Sequence, residues 1–321
     1  MKFRWSEVIF AVVFGLALPG ILAGLWENNE TEELQVYSQP VDIVTQDEVE
    51  TITVLLGDET LQKVELDSYL TAVILREMPA GFEAEALKAQ AVVARTYTLK
   101  HKGGSRHFPA DICTDSGCCQ GYYSQEAYLN DGGKLENIDK IVNAVKETEN
   151  EVLTYDGELI DATYFSCSGG RTEAAVAVWG SDVPYLQSCE SPGEEVAKHY
   201  TDTVTFTKKA FAKALELPDS KNITIDYIKY TEGGGIDIIS LNGKTIKGTV
   251  LRKKLDLNST AVILSVVGDT VSITTKGNGH RVGMSQYGAN AMAQTGANYR
   301  EILMHYYQGV ELVSTLTFWG N

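Results

Sequence analysis

The sequence predicts an α+β fold: an N-terminal transmembrane helix, then one mixed domain of helices and antiparallel sheet. Three observations carry that expectation. An uninterrupted apolar run occupies residues 8–26, and two apolar helical segments follow one another between 67 and 100. Strand-like segments pair as hairpins across Gly- and Asn-containing turns at 51–66, 151–166 and 223–275. Helices and strands show none of the βαβ alternation that marks a parallel sheet. A length of 321 residues with 44% hydrophobic content supports a substantial core.

Residues 8–26 contain no charged side chain. At roughly 1.5 Å per residue the run comes close to crossing a hydrocarbon layer of about 30 Å. Lys2 and Arg4 precede it, while Glu27, Glu30, Glu32 and Glu33 follow it. The positive-inside rule therefore predicts a cytoplasmic tail at 1–7 and an extracytoplasmic remainder. Trp5 and Trp26 bracket the span as interface anchors do. The competing expectation is a cleaved signal peptide ending near Ala23-Gly24. Residues 27–45 are polar and acidic and read as a juxtamembrane linker.

In the exported part, Thr51–Leu56 and Gln62–Leu66 read as a hairpin, and Asp67 or Ser68 as the cap of a helix running to Arg76. Pro79 and Gly81 end that helix, leaving Glu77 at its last turn beside a proline. The next helix runs from about Glu83 to Lys100. It is apolar almost all round, as a buried helix is, yet carries Lys88 and Arg95 seven residues apart on one face. Further helices are expected at 137–148, 207–216, 249–255, 285–296 and 299–307. Strands are expected at 151–154, 158–166, 223–230, 235–241, 262–267 and 270–275. Residues 200–260 read as an inserted subdomain, and 313–321 as a C-terminal tail.

The formal charge of −16 argues against nucleic acid as a partner, since that binding neutralises phosphates. Five cysteines cannot all pair within one exported chain. Three of them crowd after His107, and His107, Cys113 and Cys119 are spaced by six, a thiolate–imidazole set that suits Zn²⁺. Cys118, Asp111, Asp115 or water could be the fourth ligand. Water or an open position is the expectation, because the side chains of adjacent cysteines diverge. A local disulfide within the cluster, or free thiols, are the metal-free alternatives. Cys167 and Cys189 form a further possible disulfide.

Two long motifs also carry a resemblance. E-M-P at 77–79 followed by A-L-K-A-Q-A-V-V-A-R-T-Y at 86–97, and G-H-R-V-G-M-S-Q-Y-G-A at 279–289, resemble the signatures of the stage II sporulation protein D family. S-x-S-G-G at 166–170 and V-P-Y-L at 183–186 agree with it. The C-terminal signature departs from the pattern at Arg281, where a glycine is usual, so its backbone shape is not carried over.

The resemblance implies a catalytic domain over residues 46–312, belonging to a membrane-anchored peptidoglycan lytic transglycosylase. It further implies work on denuded glycan strands during engulfment in sporulation, with stage II sporulation proteins P and M as partners, at the membrane between mother cell and forespore. It implies Glu77 as the single acid–base residue, with no cofactor required for the reaction. Lys88, Arg95, Tyr185, His280, Ser285 and Gln286 are the expected substrate-contacting groups. Two rival expectations stand beside it: a non-catalytic wall-binding enhancer of an amidase, and a zinc hydrolase using the 107–119 cluster. The second lacks any H-E-x-x-H arrangement.

Overall fold

A computed structural model of the chain describes residues 49–219 and 221–318. The predicted tail at 1–7, transmembrane helix at 8–26 and linker at 27–45 lie outside the described residues. Among the described residues no helix is long and apolar enough to cross a membrane.

The domain opens with a hairpin of β1 (Thr51–Leu55) and β2 (Leu61–Glu65), paired antiparallel from Thr51↔Glu65 to Leu55↔Leu61. Helix α1 (Leu66–Glu77) follows without a connecting loop. Its N-cap is Glu65, with no side-chain cap, so Asp67 sits inside the first turn rather than capping it. Met78 is extended because Pro79 disfavours the helical conformation in the residue before it. Glu77 is thereby fixed as the last helical residue.

Helix α2 (Ala84–His101) is the axis of the fold. Twelve of its residues are buried, and it packs against α1, three of the later helices and two strands. The loop after it carries β3 (Ile112–Cys113), which joins β1 in parallel. Two helices come next: α3 (Gln125–Asn130), absent from the sequence expectation, and α4 (Leu135–Glu147). Ile138, Ile141, Ala144 and Val145 form the buried stripe of α4, at helical spacing.

The predicted hairpin at 151–166 is realised only in part. β4 (Glu151–Tyr155) pairs with the two-residue β5 (Glu158–Leu159), and β6 (Tyr164–Phe165) leaves to pair elsewhere. Helix α5 (Ala175–Trp179) precedes a second layer of elements. These are β7 (Thr201–Thr207), α6 (Lys208–Leu215), β8 (Ile225–Tyr230), β9 (Ile236–Leu241), β10 (Lys244–Lys247), α7 (Gly248–Lys254), β11 (Ala261–Val267) and β12 (Thr270–Lys276). They form two antiparallel sheets, ordered β10-β9-β8 and β11-β12-β7, around their own apolar cluster, which includes Phe211, Ile239 and Ile273. β7 and β12 frame this layer, so it reaches to residue 276 rather than stopping near 260.

The chain then returns through β13 (Met284–Ser285), parallel to β6, into α8 (Gln286–Gln294), α9 (Tyr299–Tyr306) and β14 (Glu311–Ser314), which pairs with β4. Sheet pairing is antiparallel except for the short β1–β3 and β6–β13 contacts.

Candidate active site

Glu77 stands where α1 stops, and a glycine receives it. The Gly121 N–H donates to Glu77 Oε1 at 2.7 Å. Only glycine allows that approach: a Cβ there would lie 2.6 Å from the same oxygen and 2.6 Å from Arg76 Cγ. Partial burial raises the Glu77 carboxyl above its ordinary range, outweighing the Gly121 amide, the Gln286 amide and Arg76, which favour the ionised form. The Gln286 side chain lies beside this carboxylate, yet its buried Nε2 completes no well-formed hydrogen bond to any described group. Sequence reasoning placed Gln286 at the site, and the structure brings it to Glu77.

A polar network that sequence reasoning missed backs the carboxylate. Gln120 Nε2 donates to Thr98 Oγ1 at 2.9 Å and lies 3.4 Å from the Tyr69 hydroxyl, while the Tyr164 hydroxyl donates to Gln120 Oε1 at 3.2 Å. Burial, and after it the charge of Glu77, drives the Tyr164 phenol well above its usual range. Its one sequence signal was position, two residues before S-x-S-G-G.

Arg95 and Lys88 do share one face of α2, but that face meets α4, not a substrate. The Arg95 guanidinium is 1% exposed and donates to the carbonyls of Thr148 (2.6 Å), Val145 (3.0 Å) and Glu151 (3.3 Å). It adds a charged donor to carbonyls at and just beyond the C-terminal end of α4. Lys88 Nζ pairs with Glu85 at 2.8 Å and Glu147 at 2.6 Å. Both side chains are engaged within the protein, where the sequence expectation had them contacting substrate. Tyr185 is committed as well: its hydroxyl accepts the Asp161 N–H at 3.1 Å and its ring leans on Tyr155.

Ser285 is buried, caps α8 by accepting the Gly288 N–H at 3.1 Å, and donates to Glu194. It is therefore structural and does not line a cleft. Glu194 was not foreseen. Its Oε2 accepts from the N–H groups of Ser168, Gly169 and Gly170 and from the Ser168 hydroxyl, while Oε1 takes Ser191 and Ser285. Gly169 and Gly170, at φ +81° and +113°, wrap their amides around the carboxylate. One buried acid thus ties S-x-S-G-G to G-M-S-Q.

Arg281 keeps the glycine-like backbone, at φ 68°. A strain of about 1 kcal/mol is offset by its buried side chain, which pairs with Glu173 at 3.2 Å and donates to Ser168 O and Gly233 O. His280 sits between Phe165 and Trp179, ring centroids 5.6 and 5.4 Å away, and not against Glu77.

The cysteine cluster is tighter than its spacing suggested. One donor atom each from His107, Cys113, Cys118 and Cys119 lie within 4.8 Å of one another, and His107 Nε2 is 3.4 and 3.3 Å from the Cys118 and Cys119 sulfurs. Cys118 therefore joins the set, against the expectation of an open fourth position. The carbonyl of Asp115 accepts both Cys118 and Cys119 N–H groups, and this tight turn lets adjacent side chains converge. Asp111 and Asp115 spend their carboxylates on backbone amides. All five cysteines are free thiols. Tetrahedral zinc, with ligand bonds of about 2.0–2.3 Å, requires donors about 3.5–3.8 Å apart, so these residues fit it.

A family model described as "Stage II sporulation protein" matches residues 57–155, a stretch that holds Glu77, Arg95 and the cysteine cluster. Stage II sporulation protein D of Bacillus amyloliquefaciens is 38% identical over 82% of this chain and 78% of its own. The chain belongs to the stage II sporulation protein D family. The Bacillus subtilis (strain 168) protein of the same name is 37% identical over 80% of this chain and 76% of its own. An amidase enhancer of Bacillus subtilis (strain 168) is 31% identical over 76% of this chain but only 40% of its own length. Membership in the stage II sporulation protein D family places the chain among sporulation proteins.

Proposed function

We propose that this protein is a peptidoglycan lytic transglycosylase that cleaves the β-1,4 bond between N-acetylmuramic acid and N-acetylglucosamine, with Glu77 as its acid and base. The observation that carries the reading is a partly buried carboxyl of raised pKa, held by the Gly121 N–H with the buried Gln286 side chain beside it. A carboxyl whose burial favours its protonated form can protonate the glycosidic oxygen as the C1–O bond breaks. The resulting carboxylate then takes the proton from the sugar's own C6 hydroxyl while that oxygen bonds to C1. The products are a 1,6-anhydro end and a free 4-hydroxyl, with no water consumed. One carboxyl therefore serves both steps. Gly121 holds its Oε1, and Gln286 supplies a donor for the sugar oxygens.

Zinc on His107, Cys113, Cys118 and Cys119 fits this reading as a structural ion. Four protein donors leave no position for an activated water, which argues against a zinc hydrolase. The ion's contribution would be to fix the loop that carries Gly121. We place residues 8–26 as the membrane anchor, the domain outside the membrane, and stage II sporulation proteins P and M as partners at the glycan. The similarity to an amidase enhancer supports a second reading, a wall-binding module that stimulates an amidase. Full-length wild type and Glu77→Gln incubated with denuded strands separate the two. Anhydro-muramic products from wild type alone are expected, and equal release by both would remove Glu77 from its role.

A further inference from the structure

A cavity of about 410 Å³ opens between α5 and α7, and Glu77 is not part of its wall. Its lining is chemically unusual for so acidic a chain. Trp179, 48% exposed, ends α5 and leans on His280, while Arg252 and Lys253 face the space from the last turn of α7. Arg252 is partly buried, and its one hydrogen bond to the protein runs from Nε to the Leu257 carbonyl at 3.1 Å. Among the described residues neither cation has an ion-pair partner. Asp256 lines the cavity without pairing with them.

A partly desolvated guanidinium without a carboxylate is an unfavourable arrangement unless a ligand supplies the anion. An exposed indole next to it is a surface on which a pyranose ring stacks. Burial, and after it the Arg252 charge, depresses the His280 imidazole to about 4, so the ring is neutral near pH 7 and adds no charge to the cavity. His280 also packs on Phe165, next to Tyr164, whose hydroxyl reaches the Gln120 network behind Glu77. The cavity therefore joins the wall of the candidate active site through one short strand, β6.

We infer that this cavity is a subsite for an acidic sugar, with Trp179 stacking on the ring and Arg252 and Lys253 receiving a carboxylate. The inference rests on the glycan-cleavage reading. On such a strand the matching group is muramic acid whose lactyl carboxylate is free, since a stem peptide converts that carboxylate into an amide. The subsite selects peptide-free strands by charge, and it assigns that selection to residues outside the Glu77 cluster.

The test uses full-length protein carrying Glu77→Gln, so that binding is read without turnover. Three oligosaccharides of equal length are titrated calorimetrically: alternating N-acetylglucosamine–muramic acid with free lactyl carboxylates, the same oligomer with those carboxylates as methyl amides, and an all-N-acetylglucosamine oligomer. The free acid is expected to bind about tenfold tighter than the other two, the size of one charge-assisted hydrogen bond. Arg252→Gln with Lys253→Gln should erase that advantage and leave the amide oligomer within twofold. Lys253→Gln alone, at an exposed position, should cut the advantage at least threefold. Trp179→Ala should weaken all three ligands. Equal binding of acid and amide by the parent, or an undiminished preference in the double variant, overturns the subsite. Product release by wild type against Glu77→Gln is measured separately. Its failure would sink the cleavage reading while leaving the titration readable.

Discussion

The Gly121 amide lies 2.7 Å from Glu77 Oε1, in a space where a single added methyl group would stand 2.6 Å from the same oxygen. Gly121→Ala must therefore displace the carboxylate or the loop. Because misplacing a reacting group by about 1 Å costs roughly 100-fold, turnover on denuded strands should fall about 10- to 100-fold with little change in KM. Steady-state kinetics check the split.

Burial raises the Glu77 carboxyl, and the sign of the consequence is fixed. The folded state holds this proton more tightly than the unfolded chain, so ionising it as pH rises costs stability. Glu77→Gln should raise Tm at pH 7, and the gain should shrink as pH falls towards the ordinary carboxyl range. Wild-type activity should decline on its alkaline side as the acid form is lost. Thermal melts and a pH–rate profile across the same buffers check both.

His280 works in the opposite sense. Its folded pKa is depressed to about 4 from an ordinary 6.5, so the unfolded chain takes up the proton first as pH falls. The associated stability is complete above pH 6.5 and is lost progressively from there down towards 4. His280→Gln should flatten Tm against pH in that window, measured by calorimetry.

Arg95 is predicted to matter for folding rather than turnover. Removing its guanidinium strips the buried carbonyls of Thr148 and Val145 of their charged donor, leaving them only the Glu151 N–H and the Thr148 hydroxyl. Arg95→Ala should cost about 3–5 kcal/mol, as breaking a buried charged contact does. Denaturant unfolding measures the loss, and whatever fraction stays folded should keep an unchanged KM.

Metal removal supplies a further prediction. Elemental analysis should find one zinc per chain, and a chelator should lower Tm. Cys113→Ser and Cys118→Ser should each weaken retention of the ion. Turnover should fall with the metal because Cys119 and Gly121 share one loop. A metal-free chain that melts and turns over normally would contradict this.

Much of the architecture could be read from local signals. The α1–α2 pair showed as apolar helices separated by Pro79, and the hairpins showed through their turns. β7 and β14 were missed because their pairing partners, β12 and β4, lie far away in sequence. β6 was misassigned to a hairpin because its partner, Met284–Ser285, is more than a hundred residues distant.

At the site, the place of Glu77 at the end of α1 was legible in the sequence, but what the cations meet was not. Spacing placed Lys88 and Arg95 on one face and could not say whether a substrate or α4 would meet it. Glu194 carries no local mark at all. Its role arises from glycine amides 24 and 25 residues earlier and from Ser285, 91 residues later.

The most direct measurement is to run the full-length protein on denuded strands in oxygen-18 water and analyse the new ends by mass spectrometry. Attack by the sugar's own hydroxyl predicts anhydro-muramic ends that carry no label, formed by wild type and not by Glu77→Gln. Reducing ends bearing oxygen-18, or unlabelled anhydro ends formed equally well by the variant, would contradict a single carboxyl at position 77 as acid and base.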